Sequence, residues 1–331
     1  MKIAVTGASG HLGGNLVRLL LSRGHEVRCM VRQDTRALDG LPVQSVIGDV
    51  LDRDTLSGLV DGVDMVFHLS ARISLRYNDP TGQVETVNVQ GTKNMIEACR
   101  TAGVRRMVHF GSIHVFDETL AKGPLNETTH LALSKTLPVY DRTKSQSVLA
   151  VLDAVKAGLD AVIVCPTAVI GPFDYKPSAM GRMLLKIANH RMPIAISGGF
   201  NWVDARDVAI GAVAAAQNGR TGEMYILSGR WASVQEIADL TAKAAGVRPP
   251  VWYPPIGLAM PGAMFMDAWA GLRPSMEPAF TRMSLRTLRQ GRSISNEKAT
   301  QELGFCTRAL EETIADTITW FKDHFSNEPP Q

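Results

Sequence analysis

Cysteine is scarce. The chain of 331 residues holds four, Cys29, Cys99, Cys165 and Cys306. No two lie close enough to make a paired metal motif, so the cysteine spacing points to no metal site. Cys29 and Cys165 fall in strand-like apolar runs and Cys99 on a helix-like segment, and reduced, mostly buried thiols fit a reducing compartment. Long apolar runs are missing too, and none would span a bilayer. The chain opens Met1-Lys2-Ile3-Ala4-Val5-Thr6 and turns at once into glycine, with no room for the apolar core of a signal peptide; the expectation is a cytoplasmic protein. A strong charge of one sign is absent. The net charge is +3 and basic residues are interleaved with acidic ones, which makes no case for nucleic acid. There is no internal repeat and no low-complexity linker. What the chain does have is an ordinary globular composition, 45% apolar and 20% charged, enough to bury a sizeable core.

The first half alternates short β-rich apolar runs with longer helix-like runs. Strands are predicted at Ile3 to Val5, Glu26 to Val31, Val43 to Ile47, Met65 to Leu69, Met107 to Phe110 and Ala161 to Cys165. Helices are predicted at about His11 to Arg23, Asp52 to Val60, Val84 to Ala102, and from Pro138 to about Lys156. Such alternation implies a doubly wound α/β fold: a parallel sheet with helices on both faces and ligands at the carboxyl ends of the strands. After Pro166 the segments become irregular and richer in Pro, Gly and Met, with a helix near Gly181 to Asn189. Val203 to Gln217 and Glu223 to Leu227 look like returns to the sheet. The expected organisation is a dinucleotide-binding domain over 1–170, with returning segments near 200–230. A mostly helical substrate cap covers 171–199 and 231–325, and 326–331 form a disordered tail.

The stretch Thr6-Gly7-Ala8-Ser9-Gly10-His11-Leu12-Gly13 leaves the first strand and opens a helix. Glycines at this G-x-x-G-x-x-G spacing permit a tight turn, close backbone approach to a pyrophosphate, and close helix–strand packing. The pyrophosphate then meets free N–H groups at a helix N-terminus. Gly7, Ser9, Gly10, His11, Leu12 and Gly13 are therefore expected cofactor contacts, His11 through its backbone. The second strand ends Met30-Val31-Arg32-Gln33, where an acidic residue would favour NAD. Arg32 offers a fork of donors to a 2′-phosphate, which favours NADP(H). NAD(H) is the alternative, with Asp34 as the ribose ligand. Asp49 and Val50 follow the third strand and are expected at the adenine edge. Leu69, Ser70 and Ala71 follow the fourth and are expected to line the cofactor path.

Tyr140 and Lys144 are four residues apart at the start of a helix and share one face. A free tyrosine, with a pKa of about 10, is too weak a base at neutral pH. A neighbouring ammonium lowers that value, and Lys144 is expected to do so. Ser112 ends the fifth strand at the same sheet edge, where its hydroxyl can hold a substrate oxygen. Tyr140 then handles the proton and a nicotinamide the hydride. A lone Y-x-x-x-K is common by chance. Preceded by the glycine turn and a Ser after the fifth strand, it is specific.

With these residues in place, the chain resembles the extended short-chain dehydrogenase/reductase family along essentially its whole length. The matching runs are T-G-A-S-G-H-L-G at 6–13, D-V at 49–50, H-L-S-A at 68–71, N-V-Q-G-T at 88–92, G-S-I-H-V-F at 111–116 and Y-D-R-T-K at 140–144. P-T-A-V-I-G-P at 166–172 and V-D-A-R-D-V-A at 203–209 complete the set. K-P-S-A-M-G-R at 176–182 and G-R-T-G-E-M-Y-I-L-S-G at 219–229 are similar to hopanoid-associated epimerase-like proteins. These belong to a branch with dihydroflavonol-4-reductase-like enzymes and 3β-hydroxysteroid dehydrogenases. The resemblance implies a Ser-Tyr-Lys mechanism, cofactor contacts at Asn88, Pro166 and Val169, and a homodimer built from the helices near 84–102 and 138–156. Two departures count against a nucleotide sugar. Ala168 stands where such members often carry Asn, and Ile113-His114 follow Ser112 where dehydratases usually carry an acidic pair.

Other residues divide between chemistry and structure. His114 can touch substrate or serve as a turn residue. His68 and His109, in apolar strands, read as structural. The Met-rich segment Leu258 to Leu272 reads as a helix on the cap core rather than a cover for a greasy substrate. Arg282, Arg286 and Arg289 recur at helical spacing, as a solvated face or as ligands of a substrate phosphate. Asp204, Arg206 and Asp207 read as a structural helix start. Three functions compete: an NADP-dependent reductase or dehydrogenase for a ketone or secondary alcohol, which can belong to an apolar molecule; a nucleotide-sugar epimerase that retains its cofactor; and a non-catalytic dinucleotide-binding sensor. No metal is expected.

Overall fold

The computed structural model describes residues 1–74, 77–121, 123–258 and 293–325. Seven strands form one parallel sheet in the order β3-β2-β1-β4-β5-β6-β9. They are β1 (Lys2–Thr6), β2 (Glu26–Val31), β3 (Gln44–Ile47), β4 (Met65–His68), β5 (Arg106–Phe110), β6 (Ala161–Pro166) and β9 (Met224–Leu227). Both faces of such a sheet are covered, so its central strands bury successive residues rather than alternate ones. On β1, Ile3 and Val5 enter one core while Ala4 enters the other. On β6, Val162 and Val164 face the first and Ile163 and Cys165 the second. The first core is closed by α1 (His11–Ser22), α7 (Ala205–Asn218) and α9 (Glu297–Leu303). The second is closed by α2 (Arg53–Val60), α4 (Gly91–Thr101) and α5 (Val139–Lys156).

The chain winds outward from β1 to β3, then restarts at β4 on the other side of β1. This reversal of strand order opens the crevice at the carboxyl edge in which ligands bind in such folds. The helix expected over 84–102 is not continuous. A short helix, α3 (Gln83–Glu85), leads into a wide π-helical turn at Thr86–Gln90 before α4 begins. Wide turns of this kind cluster at functional sites, and this one carries Asn88.

A second, three-stranded sheet was not anticipated from the sequence. It has the order β10-β8-β7, from β7 (Ala168–Ile170), β8 (Gly199–Asp204) and β10 (Trp231–Ser233). β7 and β10, at three residues each, are too short to show a period. Their sheet carries a third core, in which Trp202, Leu184, Ile237, Ile314 and Phe321 join α6 (Ala179–Ala188), α8 (Val234–Ala245) and α10 (Leu310–Phe325). The predicted return at Val203 to Gln217 is the end of β8 and most of α7, and Glu223 to Leu227 contains β9. Of the segment Leu258 to Leu272 only Leu258 is described. Arg282, Arg286, Arg289 and the tail 326–331 lie outside the described residues.

Buried charge ties α7 to the last helix. Asp204 caps α7, accepting the Arg206 backbone N–H at 2.7 Å, and pairs with the Arg206 guanidinium. Arg206 reaches on to Asp316 at 2.7 Å. Buried Asp207 accepts the Arg308 side chain at 2.8 and 2.9 Å and its backbone N–H at 2.8 Å. Removing one partner of such a group strands a buried carboxylate. Arg308→Ala is expected to lower stability in urea by about 3 kcal/mol with the m-value unchanged; a loss under about 1 kcal/mol would show that the contact carries little.

Candidate active site

The glycine turn is built as its sequence requires. Gly7 has φ +69°, a conformation L-residues with a side chain rarely adopt. A Cβ there would meet the Leu69–Ser70 backbone at 2.9 Å, and one at Gly13 would lie 2.1 Å from the Gly7 carbonyl oxygen. The N–H of Gly10 closes the turn on that same oxygen at 3.0 Å. Gly10 is the N-cap of α1, no side chain caps the helix, and its first turn carries no acidic residue. Uncapped N–H groups, a positive helix end and backbone stripped of Cβ atoms fit a pyrophosphate. Ser9 and Leu12 flank the turn, half-buried. His11 also uses its side chain: Nε2 lies 3.1 Å from the carbonyl oxygens of both Gly171 and Pro172.

Around this turn the other expected cofactor residues fall along the same edge. Arg32 follows β2, 73% exposed, with Nη1 3.8 Å from Asp49. The competing ribose ligand, Asp34, is engaged by Arg36 through two side-chain hydrogen bonds of 2.8 and 3.0 Å. Val50 is buried beneath Gly91, where a Cβ would come within 2.6 Å of its methyl group. Leu69, Ser70 and Ala71 continue β4, with the Ser70 N–H held by Thr6 Oγ1 at 3.2 Å. Asn88 is buried and its amide is fully engaged. Oδ1 accepts the Arg72 N–H at 2.7 Å, and Nδ2 donates to the Arg72 carbonyl and to Thr143 at 3.1 Å. It ties the loop after β4 to α5. Pro166 ends β6 and Val169 lies half-buried in β7.

Ser112, Tyr140 and Lys144 come together where β5 and β6 end under α5. Burial pushes the Tyr140 phenol up to about 12; the nearby Ser112 side chain pulls the other way, and the charge of Asp141 adds to the rise. The expected lowering by Lys144 is absent. The ammonium Nζ is buried and donates to the Phe110 carbonyl at 2.5 Å. Burial brings Lys144 down to about 8. Its charge helps burial to hold His68 down at about 3 and His109 well below the usual range, so both stay neutral. These two rings stack at 5.5 Å, bonded to Thr6, Thr92 and Ser147, in agreement with their structural reading.

Three groups at the site escaped the sequence reading. Cys165 lies against Gly111, where a Cβ would be 2.8 Å from its sulfur, and burial raises its thiol to about 12. Asp141 pairs with His114 at 3.3 Å. Thr167 keeps its hydroxyl buried without a partner among the described residues. Only the run P-T-A-V signalled Thr167; nothing in the one-dimensional pattern signalled the other two. Among the described residues no group of His, Cys, Asp or Glu could hold a metal, and no helix is long and apolar enough to cross a membrane.

This glycine turn, sheet edge and triad define a dinucleotide-dependent enzyme of the extended short-chain dehydrogenase/reductase type. The chain belongs to the NAD dependent epimerase/dehydratase family, whose family model matches residues 3–228. It is 35% identical to sterol demethylase protein B of Methylococcus capsulatus, over 98% of this chain and 99% of that protein. It is 32% identical to a putative dihydroflavonol 4-reductase of Synechocystis, over 97% and 94% of the two chains. The crystal structure of gox2253 superposes with a TM-score of 0.84 at 32% identity, covering 98% and 99%.

The buried ammonium gives a pH signature. Lys144 holds its proton up to about 8 in the folded chain, against 10.5 when free. Between those values the unfolded chain binds the proton and the folded chain does not, so folding stability rises with pH across that window. Urea unfolding from pH 7.5 to 10.5 should show wild type gaining about 3 kcal/mol relative to Lys144→Met. Parallel curves for the two proteins would contradict the burial of a charged amine.

Proposed function

We propose that the protein is an NADP(H)-dependent reductase or dehydrogenase that interconverts a ketone and a secondary alcohol. The observation that carries this reading is the convergence of Ser112, Tyr140 and Lys144 beside an uncapped glycine turn. The pyrophosphate would be held by the N–H groups of Gly7 to Gly13, the 2′-phosphate by Arg32 and the adenine edge by Asp49 and Val50. Leu69, Ser70, Ala71, Pro166 and Val169 would line the rest of the path. The bound cofactor supplies or accepts the hydride.

The chain's residues handle the oxygen and its proton. Ser112 Oγ holds the substrate oxygen against Tyr140 Oη. A phenol raised to about 12 is fully protonated at neutral pH, which suits Tyr140 to donating its proton as a ketone is reduced. Lys144 keeps a positive charge under the site and fixes the end of β5. Asn88 orients the loop after β4 and α5 relative to one another.

The substrate in this reading is apolar. Ile73 in the loop after β4, and Leu120 and Leu133 in the segment between β5 and α5, stand exposed, where a substrate over the triad would cover them. Ala168 offers no amide to a diphosphate. Relatives named for sterol and 3β-hydroxysteroid chemistry favour the same class. The enzyme would work in the cytoplasm as a homodimer through α4 and α5.

Fluorescence titration with NADPH and NADH tests the cofactor. Arg32→Ala is expected to weaken NADPH about tenfold or more and leave NADH unchanged; equal NADH binding, or a cofactor that co-purifies and does not exchange, would favour an epimerase. Tyr140→Phe is expected to cut ketone reduction by about 10²–10⁴-fold while sparing NADPH affinity. Full turnover without this hydroxyl would sink the mechanism.

A further inference from the structure

His114 touches each side of the Ser112–Tyr140 pair. Its backbone N–H approaches Ser112 Oγ at 3.3 Å. Its ring packs edge-on against the Tyr140 ring, with centroids 5.8 Å apart and planes at 69°. Its Nδ1 lies 3.3 Å from Asp141 Oδ1. Asp141 follows Tyr140 in the first turn of α5, and that oxygen is buried with no hydrogen-bond partner among the described residues, so the His114 ring is an ion-pair contact. A carboxylate next to the reacting phenol has no role in the mechanism above. A protonated His114 would compensate it.

We propose that His114 and Asp141 form a proton-responsive pair that sets the strength of Tyr140 as a proton donor. The proposal rests on the reductase reading for its consequence, though not for its test. Both residues are positioning residues that act through Tyr140.

The groups that face His114 are few. From α5 come Asp141 and Tyr140, and from the loop that follows His114 comes Glu118. Burial opposes a charge on the imidazole, but the Asp141 carboxylate beside it, with the charge of Glu118, outweighs it; His114 sits above its ordinary value of 6.5. Below its folded pKa the imidazolium offsets the Asp141 carboxylate, and the phenol gives up its proton more readily. Above it the uncompensated carboxylate holds the proton on Tyr140. Proton donation to a ketone therefore weakens as pH rises through the titration of His114. The Ser112 contact is made by the His114 backbone, so replacing the imidazole leaves the serine in place.

NMR of the whole protein, without cofactor or substrate, tests this. Imidazole ¹⁵N shifts report His114, and the ¹³Cζ shift of Tyr140, assigned by its loss in Tyr140→Phe, reports the phenol. His114 is expected to titrate above 6.5, and the Tyr140 Cζ shift to move with the same midpoint. Asp141→Asn should lower the proton affinity of His114 by about tenfold or more, the effect of removing one close opposite charge. His114→Gln should abolish the Tyr140 step. A His114 midpoint unchanged in Asp141→Asn, or a Tyr140 step that survives His114→Gln, overturns the proposal. If one variant does not fold, the other with wild type still decides. Failure to reduce any ketone would overturn the reductase reading and leave these measurements intact.

Discussion

The buried ammonium of Lys144 is the constraint on which the rest of the carboxyl edge depends. Its hydrogen bond goes to a carbonyl, that of Phe110, and not to a carboxylate. A charge in that position costs several kcal/mol of desolvation unless its surroundings are arranged for it. They are arranged by neutrality. His68, His109, Cys165 and Tyr140 are each held in their uncharged forms. Had either histidine gained a proton, two like charges would share the space below α5. The hydroxyls of Thr6 and Thr92 satisfy both nitrogens of His68 without inviting ionisation, and Ser147 meets Nε2 of His109, whose Nδ1 stays buried without a partner among the described residues.

The same edge is held from its other side by the glycine turn. The contact of α1 with β1 is so close that Gly13 has no room for a methyl group beside the Gly7 carbonyl. Once α1 is fixed there, its outer face reaches across to the start of the second sheet. His11 and Asn15 bond the carbonyls of Gly171 and Pro172, just beyond β7. The residues around the proposed pyrophosphate site and the segment leading into the small sheet thus form one hydrogen-bonded unit.

Much of this was legible in the sequence because it depends on local period and spacing. The central parallel strands announce themselves as short, mostly apolar runs between helical segments. The turn at Gly7 to Gly13 shows because only glycine tolerates its contacts. Ser112, Tyr140 and Lys144 were readable because their places follow from strand ends and helix spacing. The small sheet was not, since β7 and β10 have three residues each, too few to show a period. The protonation of the triad was misread for a similar reason. Helical spacing places Lys144 on the face of Tyr140, but the long lysine stem carries the charge to Phe110, and burial decides the phenol. Asp141 and Cys165 matter only through what the fold sets beside them.

In the proposed function, the edge of β2 would meet the cofactor through side chains already held by contacts of unequal strength. The Arg32–Asp49 pair is exposed and 3.8 Å long, and such pairs contribute about 0–1 kcal/mol. A hydrogen bond to a charged group such as phosphate contributes about 1.5–3 kcal/mol. Arg32 therefore gives up little by turning to a 2′-phosphate. Asp34 stands differently, since both of its oxygens are bound by the planar fork of Arg36. To serve a ribose it would first have to surrender that bidentate pair, the stronger and more directional kind of charge-assisted contact. In the proposed function the extra phosphate would therefore be favoured by what each side chain must leave behind, as much as by the charge of Arg32.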